Sequence, residues 1–459
     1  MHEIRTDAED SHTPTYAGRS FDQPVPKFEL PAEGLSARSA YQLVHDELNL
    51  DGNPVLNLAS FVTSWMEPEA DDLARETMAK NLIDQDEYPQ TEQIHERVVT
   101  MIGRLFNAPP DLSPVGTATV GSSEAIMLAL LAHKRSWQRR REDAGLSTEK
   151  PNLVMGADTH TCWEKFTRYF DVEPRIAPMR PDDFTLSAGD VAERVDEHTI
   201  AVGALLGTTF TGQMDDLSGI NALLADIERD RGWVVPLHID AASGGFVVPF
   251  VKPELEWDFR LSQVRSINVS NHKYGLVYPG MGTVVFREKS DLPEELVFHI
   301  NYLGGDMPNY SLNFSRPSNS VVLQYFNLLR LGRSGYERIM ANVIENAQEL
   351  ERRLTEPGHF VGLGDTSTFP IVVVRAADPG ALDLFAVSER LRERGWIVPA
   401  YSLPANAEHI TVMRMVVKEN FSRDMVDAFS SDLDSAVQKV LSADGTAEAN
   451  RGKARQPVC

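Results

Sequence analysis

The sequence predicts a large α/β domain followed by a smaller α+β domain. Between about residues 55 and 345, apolar strand-like runs alternate with helical patterns, and after about residue 345 this alternation stops. The chain has 459 residues, of which 42% are hydrophobic, so it is long enough to bury two separate cores. Because strands that alternate with helices form a sheet covered on both faces, we expect the larger domain to contain such a sheet.

The first predicted element is an N-terminal segment, residues 1–57. Its first part, up to about residue 35, is polar and contains several prolines, a composition typical of poorly ordered chain. Ser36–Leu48 is predicted to form a short helix, because Tyr41, Val44 and Leu48 recur on one helical face. A helix of this kind can pack on a partner subunit or lie on the surface, and the pattern leaves both possibilities open.

The large domain is predicted to occupy residues 58–345. A buried helix is expected at Ala125–Ala132, directly after the small residues Gly121, Ser122 and Ser123. Short apolar runs predict the strands of the sheet. These strands are Asn152–Met155, Ile200–Leu206, Val234–Ile239, Ser266–Val269 and Thr283–Phe286.

The small C-terminal domain is predicted to cover residues 346–441. A long helix at Gly335–Arg353 leads into it, and a strand at Ile371–Val374, a helix at Leu384–Arg394 and a strand at Ile410–Val416 follow. Strands and helices in this order are typical of a compact α+β unit. The remaining residues, 442–459, are expected to form a polar tail.

Charge and composition exclude several classes of function. The formal net charge of -23 disfavours binding to nucleic acid or to anionic membranes. The sequence contains neither a signal peptide nor an apolar stretch long enough to span a bilayer. Its two cysteines, Cys162 and Cys459, do not suggest a disulfide framework, and no metal site is predicted. We therefore expect a soluble, cytoplasmic protein.

Two polar residues follow predicted strands at positions suited to chemistry. Lys273 lies just after the strand Ser266–Val269, where an open α/β sheet places its working groups, and such a lysine can form an imine with an aldehyde cofactor. Asp240 follows Ile239, and a carboxylate there needs a partner, such as a pyridinium nitrogen, to offset its desolvation. The alternatives are a solvated surface lysine and an aspartate that caps a helix.

A third group, at Val120–Glu124, opens the predicted helix of the large domain. Free backbone N–H groups, the hydroxyls of Ser122 and Ser123 and the positive helix end can hold a phosphate, although the same residues would also serve as a helix cap. It is not a P-loop, because no Gly-Lys-Ser/Thr follows. A phosphate cradle, an acid after one strand and a lysine after the next together predict a pyridoxal phosphate (PLP) site.

On these residues the chain resembles the glutamate decarboxylases, which belong to the group II, fold-type-I PLP decarboxylases. The resemblance extends from about residue 40 to about residue 440. It implies an aspartate-aminotransferase-like large domain with a mixed, mostly parallel sheet, and the conversion of L-glutamate to 4-aminobutyrate and CO2. The matching runs are Asn57–Phe61, Asn81–Pro89, Gly121–Glu124, His238–Phe246, His272–Leu276, Tyr302–Gly305, Asn313–Pro317 and Val412–Met415.

The resemblance also implies roles for single residues. Lys273 corresponds to the imine lysine, Asp240 to the partner of the pyridine nitrogen, and His272 to a further catalytic residue. The implied cofactor-binding residues are Gly121, Ser122, Ser123, His160, Thr209, Asp240, Ala242, Ser270, His272, Lys273 and Ser315. The implied substrate-binding residues are Ser60, Phe61, Asn81, Asp84, Phe314 and Arg414, of which Arg414 would pair with the α-carboxylate. Phe314 and Ser315 would reach a neighbouring subunit's site, so a homodimer or a homohexamer is expected.

The sequence departs from the family pattern at several positions. His160 stands where bacterial members carry a glutamine, and Asn271 replaces a glycine. The tail contains Arg451, Lys453 and Arg455 but no aromatic residue, so regulation by calmodulin is not expected.

Substrate and pH dependence are the remaining expectations. Because Asp84 and a substrate carboxylate in one pocket should share a proton, we predict an acidic pH optimum, and acid tolerance is the expected role. Three alternatives stay open: decarboxylation of another amino acid such as aspartate, a different PLP reaction such as transamination or carbon–carbon cleavage, and a catalytically silent binding subunit. The presence of Lys273, Asp240 and Arg414 together favours an enzyme.

Overall fold

The computed structural model describes residues 27–443, except residues 33, 110, 112–114, 181–182 and 301–306. The expected disorder before residue 27, nearly all of the predicted tail and the run Tyr302–Gly305 lie outside the described residues. The chain divides into two compact units, residues 1–56 and 57–459. The second unit contains both predicted domains, and the predicted boundary between residues 345 and 346 falls inside one helix, so the division there stays a prediction.

The first unit contains the predicted N-terminal helix, α1 (Ala37–Leu48). Ser36 caps it, because its hydroxyl accepts a hydrogen bond from the Ser39 N–H at 3.1 Å. Tyr41, Val44 and Leu48 are all exposed. The predicted apolar face therefore exists, and it is open in the single chain.

The second unit alternates strands and helices through its first half. Its strands are β1 (Val115–Thr119), β2 (Asn152–Gly156), β3 (Glu173–Ala177), β4 (Thr199–Leu205), β5 (Leu237–Asp240), β6 (Val264–Val269), β7 (Gly282–Phe286), β8 (Phe298–Ile300), β9 (Met307–Asn309), β10 (Phe360–Gly362), β11 (Ile371–Ala376), β12 (Ala400–Ser402) and β13 (Thr411–Val416). Its helices are α2 (Pro68–Thr77), α3 (Pro89–Leu105), α4 (Gly121–Asp143), α5 (Thr161–Tyr169), α6 (Ala188–Ala192), α7 (Leu217–Arg231), α8 (Val248–Val251), α9 (Asn319–Thr355), α10 (Leu384–Arg392) and α11 (Arg423–Ala443).

A seven-stranded sheet forms the centre of this unit, in the order β1-β7-β6-β5-β4-β2-β3. The strands β3, β2, β4, β5 and β6 pair in parallel, whereas β7 is antiparallel to both of its neighbours. The expected mixed, mostly parallel sheet is confirmed. Because β2, β4 and β5 are buried along their whole length, they read in the sequence as continuous apolar runs rather than as alternating ones.

The sequence located five of these strands to within a few residues and missed two. The run predicted from Val234 forms a strand only from Leu237, because Pro236 has no N–H to donate to the neighbouring strand. Val115–Thr119 was missed because glycine and threonine hide its apolar pattern. Glu173–Ala177 was missed because it is a largely exposed edge strand that contains Pro174.

Beyond the large sheet, α9 leads to a four-stranded antiparallel sheet in the order β10-β11-β13-β12. The predicted helix Gly335–Arg353 is only the second part of α9, which is interrupted at Gly332, where φ is 56°. A residue with a side chain rarely adopts this left-handed conformation, so glycine permits the break. The second half of α9 packs against the four-stranded sheet.

The core packs helices against both faces of the large sheet. One cluster joins α4 and α5 to β2 and β4 through Trp137, Trp163 and Phe166. Cys162 is buried in this cluster, and burial raises the pKa of its thiol to about 12. Within the described ranges, no helix is long and apolar enough to cross a bilayer, and no group of three His, Cys, Asp or Glu residues could hold a metal ion.

Candidate active site

The predicted site residues converge where the chain leaves the carboxyl ends of the parallel strands. The segments after β1, β2, β4, β5 and β6 surround a cavity of about 330 Å³. Such an edge is where open α/β sheets bind ligands. A larger cavity of about 620 Å³, beside the four-stranded sheet, contains none of the predicted residues. The predicted residues that line the smaller cavity are Gly121, Ser122, Ser123, His160, Thr209, Asp240, Ala242, Ser270, His272 and Lys273.

Lys273 lies in the turn that follows β6 and points its amine into this cavity. Its Nζ donates a hydrogen bond to Ser243 Oγ at 3.2 Å and lies 4.6 Å from the centre of the Phe61 ring. Burial lowers the pKa of Lys273 to about 8; Asp240 opposes this shift and the Arg414 guanidinium adds to it. An amine with a lowered pKa is more often neutral near neutral pH, which is the form that attacks a carbonyl carbon.

Asp240, at the end of β5, is held by three hydrogen bonds. Its Oδ1 accepts from Asn268 Nδ2 at 2.8 Å and from the Ala242 N–H at 3.1 Å, and its Oδ2 accepts from Trp163 Nε1 at 3.1 Å. The side chain is 6% exposed. These donors stabilise the ionised carboxylate and fix its direction, so it can pair with a cationic nitrogen in the cavity.

A buried chain of hydrogen bonds continues behind Asn268. His238 Nε2 lies 2.8 Å from Asn268 Oδ1, and Ser266 Oγ joins His238 Nδ1 at 2.7 Å to His133 Nε2 at 2.6 Å. Burial lowers the pKa of His238 to about 4 and that of His133 well below its usual value, so both rings are neutral. Asn268 Nδ2 therefore stays directed at Asp240, because Asn268 Oδ1 is occupied by His238.

The amino end of α4 forms the cradle predicted for a phosphate. The hydroxyls of Ser122 and Ser270 are hydrogen-bonded to each other across its mouth. Gly282 must lack a side chain, because a Cβ there would lie 2.8 Å from Ser122 N. His272 Nδ1 is buried without a partner among the described residues, and burial lowers the pKa of this ring to about 4. Hydroxyls, a free ring nitrogen and the positive helix end can together bind an anion.

His160 precedes α5 and lines the cavity from the segment that follows β2. Its Nδ1 accepts a hydrogen bond from the Cys162 N–H at 3.3 Å, which leaves Nε2 as the protonated nitrogen of the neutral ring. Burial lowers the pKa of His160. The flat face of a neutral imidazole is available for stacking on an aromatic ligand.

Arg414 on β13 brings a buried cation to the same region. It donates to the carbonyl oxygens of Thr209 at 2.6 Å and Ala59 at 2.8 Å, and its guanidinium carbon lies 5.0 Å from the Phe61 ring centre. No carboxylate pairs with Arg414 within the part of the chain that the structure describes, and its Nε has no partner there. Arg414 is 9% exposed, and a buried guanidinium that has no carboxylate partner among the described residues can receive the carboxylate of a ligand.

Asn81, Asp84 and Ser315 form a second group, which does not line the cavity. Asn81 Nδ2 donates to Asp84 Oδ1 at 3.2 Å and to Ser315 Oγ at 3.4 Å. Phe314, which precedes Ser315 in the chain, is 41% exposed. The chain therefore places Asn81 and Asp84 with Ser315 and not among the residues around Lys273, although the sequence grouped them with Ser60 and Phe61.

Comparison with known proteins gives the family. The model of the pyridoxal-dependent decarboxylase conserved domain matches residues 33–376. The chain belongs to the pyridoxal-dependent decarboxylases. A glutamate decarboxylase of Solanum lycopersicum is 49% identical over 95% of this chain and 86% of its own length, and the glutamate decarboxylase beta of Listeria innocua is 43% identical over 94% of both.

A solved pyridoxal-dependent decarboxylase gives the same result for the fold. The glutamate decarboxylase of Lactobacillus brevis superposes with a TM-score of 0.92 at 40% identity, and the match covers 96% of this chain and 100% of the solved chain. Since the family is pyridoxal-dependent, PLP is the cofactor of this decarboxylase.

The cavity fits that cofactor. The cradle at Ser122 and Ser270 can hold its phosphate, and Lys273 can reach its aldehyde. Asp240 offers a carboxylate to its ring nitrogen. His272 Nδ1, buried without a protein partner among the described residues, gains an acceptor when a phosphate is bound.

Sequence reasoning missed the residues that support this decarboxylase site from behind. Ser243, Trp163 and Asn268 contact Lys273 or Asp240, yet none was assigned a role. The role of Asn268 could have been predicted, because an amide within the apolar run Ser266–Val269 needs a polar partner inside the sheet. Asn271, the departure from glycine, is buried and hydrogen-bonded to Gln324 at 2.9 Å and to Thr283 at 2.8 Å.

Proposed function

We propose that this protein is a PLP-dependent glutamate decarboxylase, which converts L-glutamate to 4-aminobutyrate and CO2. The observation that carries the proposal is Arg414, a buried guanidinium without a carboxylate partner among the described residues, close to the Lys273 amine across the Phe61 ring. Glutamate decarboxylases of a plant and of two bacteria, 40–49% identical over nearly the whole chain, support glutamate as the substrate.

Different residues of the cavity would hold different parts of the cofactor. Ser122, Ser123, Ser270 and His272 would bind the phosphate, and Gly121 would allow its close approach. Asp240 would hold the ring nitrogen in its protonated form. His160 and Ala242 would pack on the two faces of the ring, and Thr209 would lie near its oxygen. When bound, PLP accepts the electron pair that remains on Cα as CO2 leaves.

The protein's own groups orient the substrate and move protons. Arg414 would bind the α-carboxylate and hold the bond to it perpendicular to the ring plane, the orientation from which it breaks. Lys273 would bind the cofactor aldehyde before substrate arrives, and an amine with a lowered pKa of about 8 can both accept and return a proton. His272, whose ring also lines the cavity, is the second candidate for returning a proton to Cα.

We infer that the complete substrate pocket needs two subunits. Ser60 and Phe61 belong to the chain that supplies Lys273, whereas Asn81, Asp84, Phe314 and Ser315 would extend the pocket of a neighbouring subunit. Phe314 is 41% exposed and Leu312 is 48% exposed. Exposed apolar side chains that lie close together in the sequence can form a contact surface, which supports this inference. A homodimer, or a homohexamer built from dimers, is the assembly that we propose.

Cell location and regulation are proposed from composition. The strongly acidic chain supports a soluble protein, for which we propose a cytoplasmic location and a role in acid tolerance. The tail lacks an aromatic anchor for calmodulin, which supports activity that is independent of calmodulin.

The function is tested with purified holoenzyme and L-glutamate at mildly acidic pH, measuring 4-aminobutyrate and CO2 together. Equal amounts of the two products are expected from the wild type, and none from Lys273→Ala. L-Aspartate and an aromatic amino acid serve as competing substrates. If cofactor binds but another amino acid is turned over faster than L-glutamate, the substrate assignment is wrong and the family assignment stands.

A further inference from the structure

Two buried carboxyl groups outside the cavity face each other behind its wall. Asp158 and Asp215 are each 1% exposed. Asp158 follows β2 and lies two residues before His160, and Asp215 ends the segment that carries Thr209. Each aspartate is therefore close in sequence to a residue of the cofactor pocket, and the two approach the pocket from neighbouring strands, β2 and β4.

Asp215 has the hydrogen bonds of an ionised carboxylate. Its Oδ1 accepts from the Leu186 N–H at 2.8 Å and its Oδ2 from the Leu205 N–H at 2.7 Å. Its own N–H donates to the Leu205 carbonyl oxygen at 3.1 Å. Asp215 thus fixes the end of β4, and an isolated bridge between Leu206 and Met214 closes the segment that contains Thr209.

Asp158 lacks hydrogen-bond donors of the kind that Asp215 has. Its Oδ2 is buried and accepts no hydrogen bond from any described residue. The group it faces is the Asp215 carboxylate, within hydrogen-bonding reach. A buried carboxylate oxygen beside a second carboxylate is satisfied only if a proton lies between them, as in pairs of acids that cannot both ionise.

The charges around the pair do not neutralise it. Burial raises the pKa of both Asp158 and Asp215, and Asp183, which faces both, raises it further. Asp183 is paired with Arg180 at 2.5 Å, and the same guanidinium binds Asp190 at 2.6 Å, so this cation is already engaged. Asp216, next to Asp215, caps α7 by accepting from the Gly219 N–H at 3.0 Å. Because Asp215 already has two N–H donors, Asp158 is the carboxyl that keeps the proton.

We propose that Asp158 is a positioning residue for the cofactor pocket. Its protonated carboxyl donates a hydrogen bond to Asp215, and this bond holds the turn that carries His160 against the segment that carries Thr209. The hydrogen bond made by this one proton then fixes the positions of both segments, which form two walls of the pocket. The proposal rests on the cofactor of the family and not on which amino acid is decarboxylated.

The sign of the pH effect follows from this arrangement. When the two segments are in place, the pair binds a proton that free aspartates, with an ordinary pKa of about 4, would already have lost near neutral pH. Protonation therefore favours the arrangement in which the turn that carries His160 is held against the segment that carries Thr209. The affinity for the cofactor then falls as the pH rises above the ordinary pKa of an aspartate. Coupling to one proton changes the affinity by up to about tenfold per pH unit.

The test compares the dissociation constants of PLP from the wild type and from Asp158→Asn, measured as free cofactor in equilibrium with holoenzyme between about pH 5 and about pH 8. Asparagine keeps an N–H donor for Asp215 but has no proton to lose. Dividing the two constants at each pH cancels the titration of the cofactor and of Lys273. We expect the ratio of wild type to variant to rise with pH, towards tenfold per unit. A ratio that does not change with pH overturns the proposal.

A second pair of variants keeps the proposal testable if asparagine prevents folding. Asp158→Ser retains a hydroxyl donor, and Asp158→Ala retains none. At mildly acidic pH, a lost hydrogen bond to a carboxylate is expected to weaken PLP binding by alanine about tenfold or more relative to serine. Equal affinities of these two variants contradict a role for the hydrogen bond. No turnover of glutamate enters either measurement, so failure here and failure of the proposed function are distinguishable.

Discussion

Trp163→Phe tests how much of the cofactor affinity depends on the groups behind Asp240. The indole N–H donates to Asp240 Oδ2 at 3.1 Å, and the substitution removes this donor while an aromatic ring remains in the core. A hydrogen bond to a charged group is worth about 1.5–3 kcal/mol. If Asp240 loses that much stabilisation as the partner of the ring nitrogen, the dissociation constant of PLP rises about ten- to one-hundredfold.

The chain offers a matched control in Trp137→Phe. Trp137 is 3% exposed, packs in the same apolar cluster as Trp163, and donates its indole N–H to the Glu197 carbonyl oxygen at 3.0 Å. Both substitutions remove the same atoms from the same core, so the packing losses are similar. Of these two tryptophans, Trp163 is the one that is hydrogen-bonded to Asp240.

The assay titrates PLP into each apoprotein and follows the cofactor absorbance, with thermal unfolding of each holoenzyme recorded in parallel. We expect both variants to unfold at lower temperature and only Trp163→Phe to bind PLP at least tenfold more weakly. Equal affinities of the two variants would refute the reasoning, because the indole N–H would then contribute to stability alone.

Three further substitutions test other parts of the site. Arg414→Lys should lower kcat/KM for L-glutamate about a hundredfold with PLP still bound, because an ammonium lacks the planar fork with which the guanidinium binds two separate carbonyl oxygens and still faces a carboxylate. Steady-state kinetics measure this, and a loss below about threefold would contradict it. Lys273→Met should raise the melting temperature of the apoprotein at neutral pH, since a buried charge is removed. This gain should shrink as the pH rises from about 8 towards 10.5, because the wild-type lysine loses its proton at a lower pH in the folded state than in the unfolded state. A gain that does not depend on pH argues against the lowered pKa. Asp84→Asn should broaden the activity profile towards neutral pH, because no second carboxylate then competes for the proton; an unchanged profile would count against a role for Asp84.

The order of strands and helices made much of the site predictable. Lys273 and Asp240 stand directly after apolar runs, and the carboxyl ends of parallel strands meet at one edge, so proximity followed from the fold class. Ser122 and Ser123 were predicted because a helix start with small polar residues can bind an anion, and the lysine and the aspartate favoured this over a simple helix cap.

What the sequence could not show are the pairings between distant segments. Asp158 and Asp215 are separated by more than 50 residues, and neither lies in a recognisable pattern. The chain from His133 to Asp240 likewise depends on which side chains of β5, β6 and α4 point into the same layer. Burial and register decide these contacts, and both are properties of the folded sheet.

Glu124, in the first turn of α4, connects two parts of the protein that serve different purposes. Its carboxylate accepts from the Val120 N–H at 2.6 Å at the cradle, and from the Leu312 and Asn313 N–H groups at 2.8 and 3.2 Å just before Phe314. Glu124 therefore hydrogen-bonds both to the phosphate cradle and to the segment proposed to serve a neighbouring subunit. If this connection couples the binding of cofactor to the association of subunits, each of the two strengthens the other by the same factor. The concentration of PLP would then control how much of the protein is assembled, and dilution of the protein would release its cofactor.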